Sequence, residues 1–324
     1  MKQLKVAIFR FSSIGDILLT TPVVRCIHEQ LDAEIHYFTK SSFTTLLDQN
    51  PHIHKIHSFK NLKHARKDFK KESFDLVIDL HKNLRSQLIS FGFLKKTLRF
   101  KKENFKKWLL VKAKLNLLPK VSLVDRYFHR LEKINVLYDG QGLDVFFEKK
   151  IQVKLPKSFV ALSLAGTYYT KKIPFQKWKL IIKNIDKPMV LLGGKNESKM
   201  ARELIKEFPQ KKIINAAGIN SLTESCFCIY KASLLITGDT GMMHIAAATD
   251  TPIFSIWGNT VPSFGFQPFF KDRSLAKHKS KIFENKELSC RPCSKLGYNK
   301  CPKEHFNCMN KIDFSHIAKL TNAI

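Results

Sequence analysis

Short apolar, β-type runs alternate along this chain with amphipathic segments, and they do so in two separate series. The first series reads LKVAIFRF, AEIHYFT, HKIHSF and FDLVIDLH; the second starts at Phe159 and reads FVALSLAG, PMVLLGG, KIINAAG, SLLITGD and TPIFSIWG. A strand that is apolar along its whole length needs cover on both faces, and the helical patterns between the runs supply it. The alternation predicts two doubly wound α/β domains with parallel sheets, each Rossmann-like. Between the series lies EKKIQVKLPKS, charged and carrying Pro156, which suits a connector. The expected domains are therefore residues 1–154 and 155–324, and 324 residues are ample for two cores. Ligands of such sheets bind beyond the carboxyl ends of the strands, so the two domains are expected to face each other across a cleft. From about Phe91 to Gly142 the pattern is irregular, and the closing DFSHIAKLTNAI reads as a helix.

Several classes lose support at once. Neither GxGxxG nor GxxxxGK[ST] occurs after a strand, which argues against a hydride-transfer enzyme and a P-loop NTPase. The uncharged span Thr251 to Phe270 is as long as a membrane helix, but Pro252, Gly258, Pro262, Gly265 and Pro268 break it. The N-terminal apolar run is interrupted by Arg10, so no signal peptide is expected. A cytoplasmic protein follows, in which the seven cysteines are not a disulfide framework.

Three loops carry candidate chemistry. In FRFSSIGDILLTTP, Thr21 and Pro22 read as N-cap and first helical residue, leaving Ser12 to Thr20 as a loop with one acid, Asp16. Its plain reading is a local cap. In GDTGMMHIAAA a strand ends and a helix begins, and Thr240 and Gly241 at that start suit a diphosphate. Plainly read, Asp239 is the N-cap there and His244 a core histidine. AGTYYTKKIPFQKW places Lys171 just after a strand, where a lysine can neutralise a leaving phosphate. Glu197, after LLGGKN, can accept from ribose hydroxyls or serve as an ordinary first-turn glutamate.

Together SSIGD, TKKIPFQKW, LLGGKNE and ITGDTGMMHIAAATDTPIFSIWGNT resemble the lipopolysaccharide heptosyltransferase family, glycosyltransferase family 9. The resemblance implies an inverting glycosyltransferase of the GT-B type. Its donor is an ADP-activated sugar, usually ADP-L-glycero-D-manno-heptose, and its acceptor a lipid-linked lipopolysaccharide core. It places the acceptor on the N-terminal domain and the nucleotide sugar on the C-terminal one. Asp16 matches the general base and Lys171 the diphosphate lysine. Ser13 and Gly15 shape the Asp16 loop and are counted with the donor set; Thr167 lies on the phosphate side, and Glu197 matches a ribose contact. Asp239, Thr240, Gly241 and His244 form the donor turn, with Asp239 at the sugar. No metal-binding DxD occurs between the two sheets, and no cofactor is expected. The alternative is a non-catalytic basic protein of the same fold that binds anionic lipid or nucleic acid.

The charge points to a polyanionic partner, since 56 Lys and Arg stand against 27 Asp and Glu, a formal +29. Lys95 to Lys114 holds nine basic residues and one acid, Glu103, interleaved with Phe100, Phe105, Trp108, Leu109 and Leu110. An anionic inner-membrane surface ranks first as its partner, a solvated helix second and nucleic acid last, which makes the protein peripheral at that membrane. Cys290, Cys293, Cys301 and Cys308 form C-x2-C-x7-C-x6-C, within reach of a structural zinc site. Cys26, Cys226 and Cys228 sit in helical patterns and read as core.

Overall fold

In the computed structural model, which describes residues 3–148 and 151–324, both strand series form all-parallel sheets. The first sheet holds β1 (Leu4–Phe9), β2 (Ala33–Lys40), β3 (Lys55–Phe59), β4 (Leu76–Asp79) and β5 (Lys96–Arg99) in the order β3-β2-β1-β4-β5. Val6 of β1 sits opposite Ile35 of β2 and Leu76 of β4, which fixes the central register. The second sheet holds β6 (Val160–Ser163), β7 (Met189–Leu192), β8 (Ile213–Asn215), β9 (Leu234–Gly238), β10 (Ile253–Trp257) and β11 (Ser280–Glu284). Its order is β8-β7-β6-β9-β10-β11, with Leu162 of β6 flanked by Leu191 and Ile236. Each sheet starts at its centre, winds outward one way, returns and winds the other, as a Rossmann fold does. A topological switch point therefore lies between β1 and β4 in one sheet and between β6 and β9 in the other.

The continuous apolar runs are buried on both faces: Val6 to Phe9 and Leu234 to Ile236 are solvent-free. β5 and β11, each at one edge of its sheet, escaped the sequence pattern because they bury almost nothing apolar. KTLR buries only Leu98, and SKIFE buries none of its residues. The core of the first sheet is aromatic, with Phe9 packed edge-on against Phe38 and Phe69. That of the second is aliphatic around Trp178 and extends into the C-terminal tail through Phe306, Cys308, Met309 and Phe314. The terminal helix, Phe314–Asn322, starts where Asp313 accepts from the His316 amide at 2.9 Å.

The chain divides into two compact units, and the division is not one cut. One unit takes the residues up to Lys102 together with Val121–Glu148; the other takes Glu103–Lys120 together with the chain beyond Glu148. Helix Asn104–Ala113, in the irregular basic stretch, thus belongs with the second sheet. Leu110 and Leu118 pack on Phe264, and the Lys107 ammonium lies 5.1 Å from the centre of the Phe266 ring. Lys114 Nζ donates to the carbonyls of Pro292 and Cys290 at 2.8 and 3.2 Å.

Candidate functional site

In the first unit the residues of interest collect at its switch point. The expected loop from Ser12 to Thr20 contains a short helix, Ile14–Leu18, whose N-cap is Ser13. The next helix is Thr21–Leu31, with Thr20 as cap and Pro22 second rather than first. The signal for the extra turn is the S-x-x-D spacing: the Ser13 amide and hydroxyl both donate to the Asp16 carboxylate, at 3.2 and 2.9 Å. Gly15 is buried within that turn. Asp16 therefore performs the local capping of its plain reading and still keeps its side chain 22% exposed.

Arg10, just past β1, holds the arrangement together. Its guanidinium pairs with Asp16, donates to the Ser12 carbonyl at 3.0 Å and reaches the Leu80 carbonyl past β4 at 2.8 Å. Leu80 is fixed in turn, because buried Asp79 accepts from the His81 and Lys82 amides and from the Ser86 hydroxyl. Burial pushes the Asp16 carboxyl up, but the Arg10 charge and the Ser13 hydrogen bonds outweigh it and hold Asp16 below its ordinary range. Burial, then the Arg10 and Lys102 charges, push the His81 imidazole down to about 4. Burial and the Arg10 charge also lower Lys102. The result is an ionised carboxylate in a basic surround.

In the second unit the loops after β6 and β9 meet at the other switch point. Lys171 Nζ lies 2.6 Å from Asp239 Oδ2, which also accepts from the Thr260 hydroxyl at 2.7 Å. A side chain at Gly238 would come within 2.7 Å of the Lys171 carbonyl, so a glycine there is what lets the β6 loop cross the end of β9. Asp239 is not the helix cap: Thr240 is, and its hydroxyl bonds Thr237 at 3.0 Å instead of the helix amides. Helix Gly241–Ala248 consequently presents its first turn without a side-chain cap. His244 is buried in that helix, as its plain reading has it, and Thr167 is exposed on the β6 loop.

Glu197 is engaged twice. It accepts from the Gly194 amide at 3.1 Å, the first-turn role, and from Lys172 Nζ at 2.9 Å. The structure thus brings Lys171, Asp239 and Thr240 together and sets Lys172 on Glu197, whereas Asp16 and Ser13 belong to the other unit. Sequence reasoning missed Arg10, Lys172 and Thr260. Each left a signal: a charge ending an apolar run, the second lysine of TKK, and the threonine that follows WGN.

Comparison with known proteins bears on the chain as a whole. The family model described as glycosyltransferase family 9 (heptosyltransferase) matches residues 62–300. Lipopolysaccharide heptosyltransferase 1 of Campylobacter coli is 28% identical over 301 residues, covering 81% of this chain and 85% of that protein. Among solved structures, the family 9 glycosyl transferase of Veillonella parvula superposes with a TM-score of 0.76 at 16% identity, covering 100% of this chain and 98% of that one. The E. coli heptosyltransferase WaaC with ADP gives 0.71 at 16% identity, with 99% of each chain covered. These likenesses extend over both sheets, so the fold is theirs throughout. With nearly three-quarters of its length matched, this chain belongs to glycosyltransferase family 9, the heptosyltransferases.

Proposed function

We propose that this protein transfers a heptose from ADP-heptose to a lipid-linked lipopolysaccharide core, with inversion at the anomeric carbon. The observation that carries the reading is the meeting of Lys171 with Asp239 at the second switch point, beside a helix start that has no side-chain cap. Helix-start amides without a side-chain cap and a lysine there favour a diphosphate and stabilise the charge that develops on it as ADP leaves. Lys171 would exchange Asp239 for the diphosphate, freeing Asp239 for sugar hydroxyls. Gly241 and Thr167 would line the phosphate side, His244 would stiffen the turn from behind, and Glu197 would hold the ribose with Lys172 balancing its charge.

The acceptor falls to the first unit. Its hydroxyl must lose a proton as it attacks the anomeric carbon, and Asp16, kept ionised by Arg10 and Ser13, is the base in this reading. A low carboxylate pKa suits a proton that departs late, when the oxygen has already become acidic. A zinc ion on the four tail cysteines is, in the same reading, structural and takes no part in the chemistry. The exposed face of helix Asn104–Ala113, with Phe105 and Trp108 stacked at 6.1 Å amid lysines, would rest on the anionic membrane that holds the acceptor. No described helix is long and apolar enough to cross a membrane. The opposite signs of lysine and lipid headgroup favour this occupant over a neutral surface.

The test is ADP release from ADP-heptose in the presence of a lipid-linked core acceptor. Asp16→Asn is expected to lower kcat by about 10²–10⁴-fold with ADP affinity unchanged. Lys171→Ala is expected to weaken ADP binding and turnover together. An Asp16→Asn enzyme that transfers at near-normal rate would refute the role of the base, and a wild type that turns over no nucleotide sugar would leave the non-catalytic alternative in its place.

A further inference from the structure

The C-terminal tail between β11 and the short helix Asn307–Asn310 has no regular secondary structure, yet it is built into the donor unit. Its Cys290, Cys293, Cys301 and Cys308 all line one small cavity of about 10 Å³, the size of a single ion or water. We infer that this cavity is a zinc site of four thiolates, and that the zinc sets the position of the donor loop carrying Lys171.

The ligand set follows from hydrogen bonding as well as from spacing. His305 also lines the cavity, with Nε2 4.0 Å from Cys290 Sγ. Its Nδ1, however, accepts from the Asn307 amide at 3.0 Å, so a neutral ring carries its proton on Nε2. A protonated nitrogen cannot ligate; it points a donor at the Cys290 sulfur, the outer-shell role that steadies a thiolate. Four cysteines remain, the complement of a closed structural zinc site. Four thiolates on a divalent ion carry a net double negative charge, and basic groups stand around it: Lys303 lines the cavity, and Lys114 bonds the carbonyls of Cys290 and Pro292.

Among the described residues, side chains already within 4.8 Å of one another as ligands lie in the first unit, at Glu34, His36 and His54 and at His36, His57 and Glu72. Their carboxylates are tied to Lys5 and Lys55 in a closed charge network. The tail's sulfurs do not form such a group, so holding one ion requires them to draw closer.

The coupling to the donor loop runs through the two segments that the ligands bracket. Arg291, between the first two cysteines, donates to the Gly258 and Thr260 carbonyls at 2.5 and 2.7 Å, and Thr260 holds Asp239. Tyr298, between the second and third, donates its amide to the hydroxyl of Thr170, the neighbour of Lys171, at 2.8 Å, and its carbonyl accepts from the Thr170 amide at 3.2 Å. Gly297 lies so close beneath Tyr168 that a Cβ there would stand 2.5 Å from the tyrosine Cβ. Drawing the four sulfurs onto one ion therefore fixes both partners of the Lys171–Asp239 pair. This inference rests on the reading of that pair as the donor site.

The experiment uses the full-length protein with three measurements: metal content by mass spectrometry, thiol number with and without a zinc chelator, and ADP affinity by calorimetry. Expected are about one zinc per chain, four thiols that react only after chelation, and ADP binding about tenfold weaker in the stripped protein, the loss of one charge-assisted contact, restored by zinc. Cys293→Ser with Cys301→Ser should lose the metal; because that variant can also fail to fold, reversible stripping of the wild type is the deciding arm. No bound metal, or disulfides among the four cysteines, overturns the site. Zinc whose removal leaves ADP affinity unchanged overturns the coupling. Lys171→Ala separates the two readings: if it keeps full zinc and full ADP affinity, the donor assignment fails while the metal site stands.

Discussion

A carboxylate proposed to take a proton at neutral pH must be ionised there, and the Arg10 charge favours that form of Asp16. Without the guanidinium, burial would raise the Asp16 pKa toward or beyond its ordinary range. The sign follows directly. A depressed folded-state pKa contributes stability above the unfolded value and loses it as pH falls through the folded one. Arg10→Met should therefore move the acid limb of the kcat/KM profile to higher pH and cost about 1–3 kcal/mol, because the Ser12 and Leu80 carbonyls lose their donor. Arg10→Lys should keep most of the limb's position. A pH profile of Arg10→Met that overlays the wild type would show that Asp16 is not the titrating base. At this scale Asp16, Lys171 and Asp239 could be picked from the sequence, because each is a charge in a strand-end loop. Their pairings could not, because Arg10 with Leu80 and Thr260 with Asp239 are contacts between different loops.

Helix Asn104–Ala113 shows what an element's two faces decide. Its sequence mixes lysine with aromatic and aliphatic residues without a clean stripe, so periodicity could not say which side is buried. The fold does: Leu110 is buried against Leu118 and Phe264, while Phe105 and Trp108 are 69% and 48% exposed. Leu110→Ala should cost about 2–4 kcal/mol of stability. Phe105→Ala with Trp108→Ala should stay within about 1 kcal/mol and instead lose co-sedimentation with anionic vesicles while binding to zwitterionic ones stays low. Vesicle binding unaffected by the double substitution would remove this helix from the membrane contact. The interior strands were legible for the opposite reason, since burial on both faces leaves an unbroken apolar run. β5 and β11, little buried, carry no such run.

At the scale of the whole molecule, the sequence connects what the fold separates. Glu103–Lys120 leaves the first unit, packs with the second and returns at Val121. If the second unit holds the nucleotide, ADP at about 100 times its Kd should add about 2.7 kcal/mol to the opening of that unit alone. Hydrogen exchange followed by peptide mass spectrometry would report it: amides of β6 to β10 gain protection, and those of helix Asn104–Ala113 gain it with them, while β1 to β4 do not. Protection rising in the first unit and not in the second would put the nucleotide on the wrong half.

Local chemistry was enough to settle the class of fold, two parallel α/β sheets, because apolar periodicity and turn residues act over neighbouring positions. It was also enough to mark the loops that hold Asp16, Lys171, Glu197 and Asp239. Only the tertiary structure decided which charges neutralise one another, which unit owns the basic helix, and that the cysteine tail grips the Lys171 loop. Those outcomes depend on contacts between residues far apart in the chain, such as Thr170 with Tyr298 and Arg10 with Leu80, and no periodicity along a sequence encodes them.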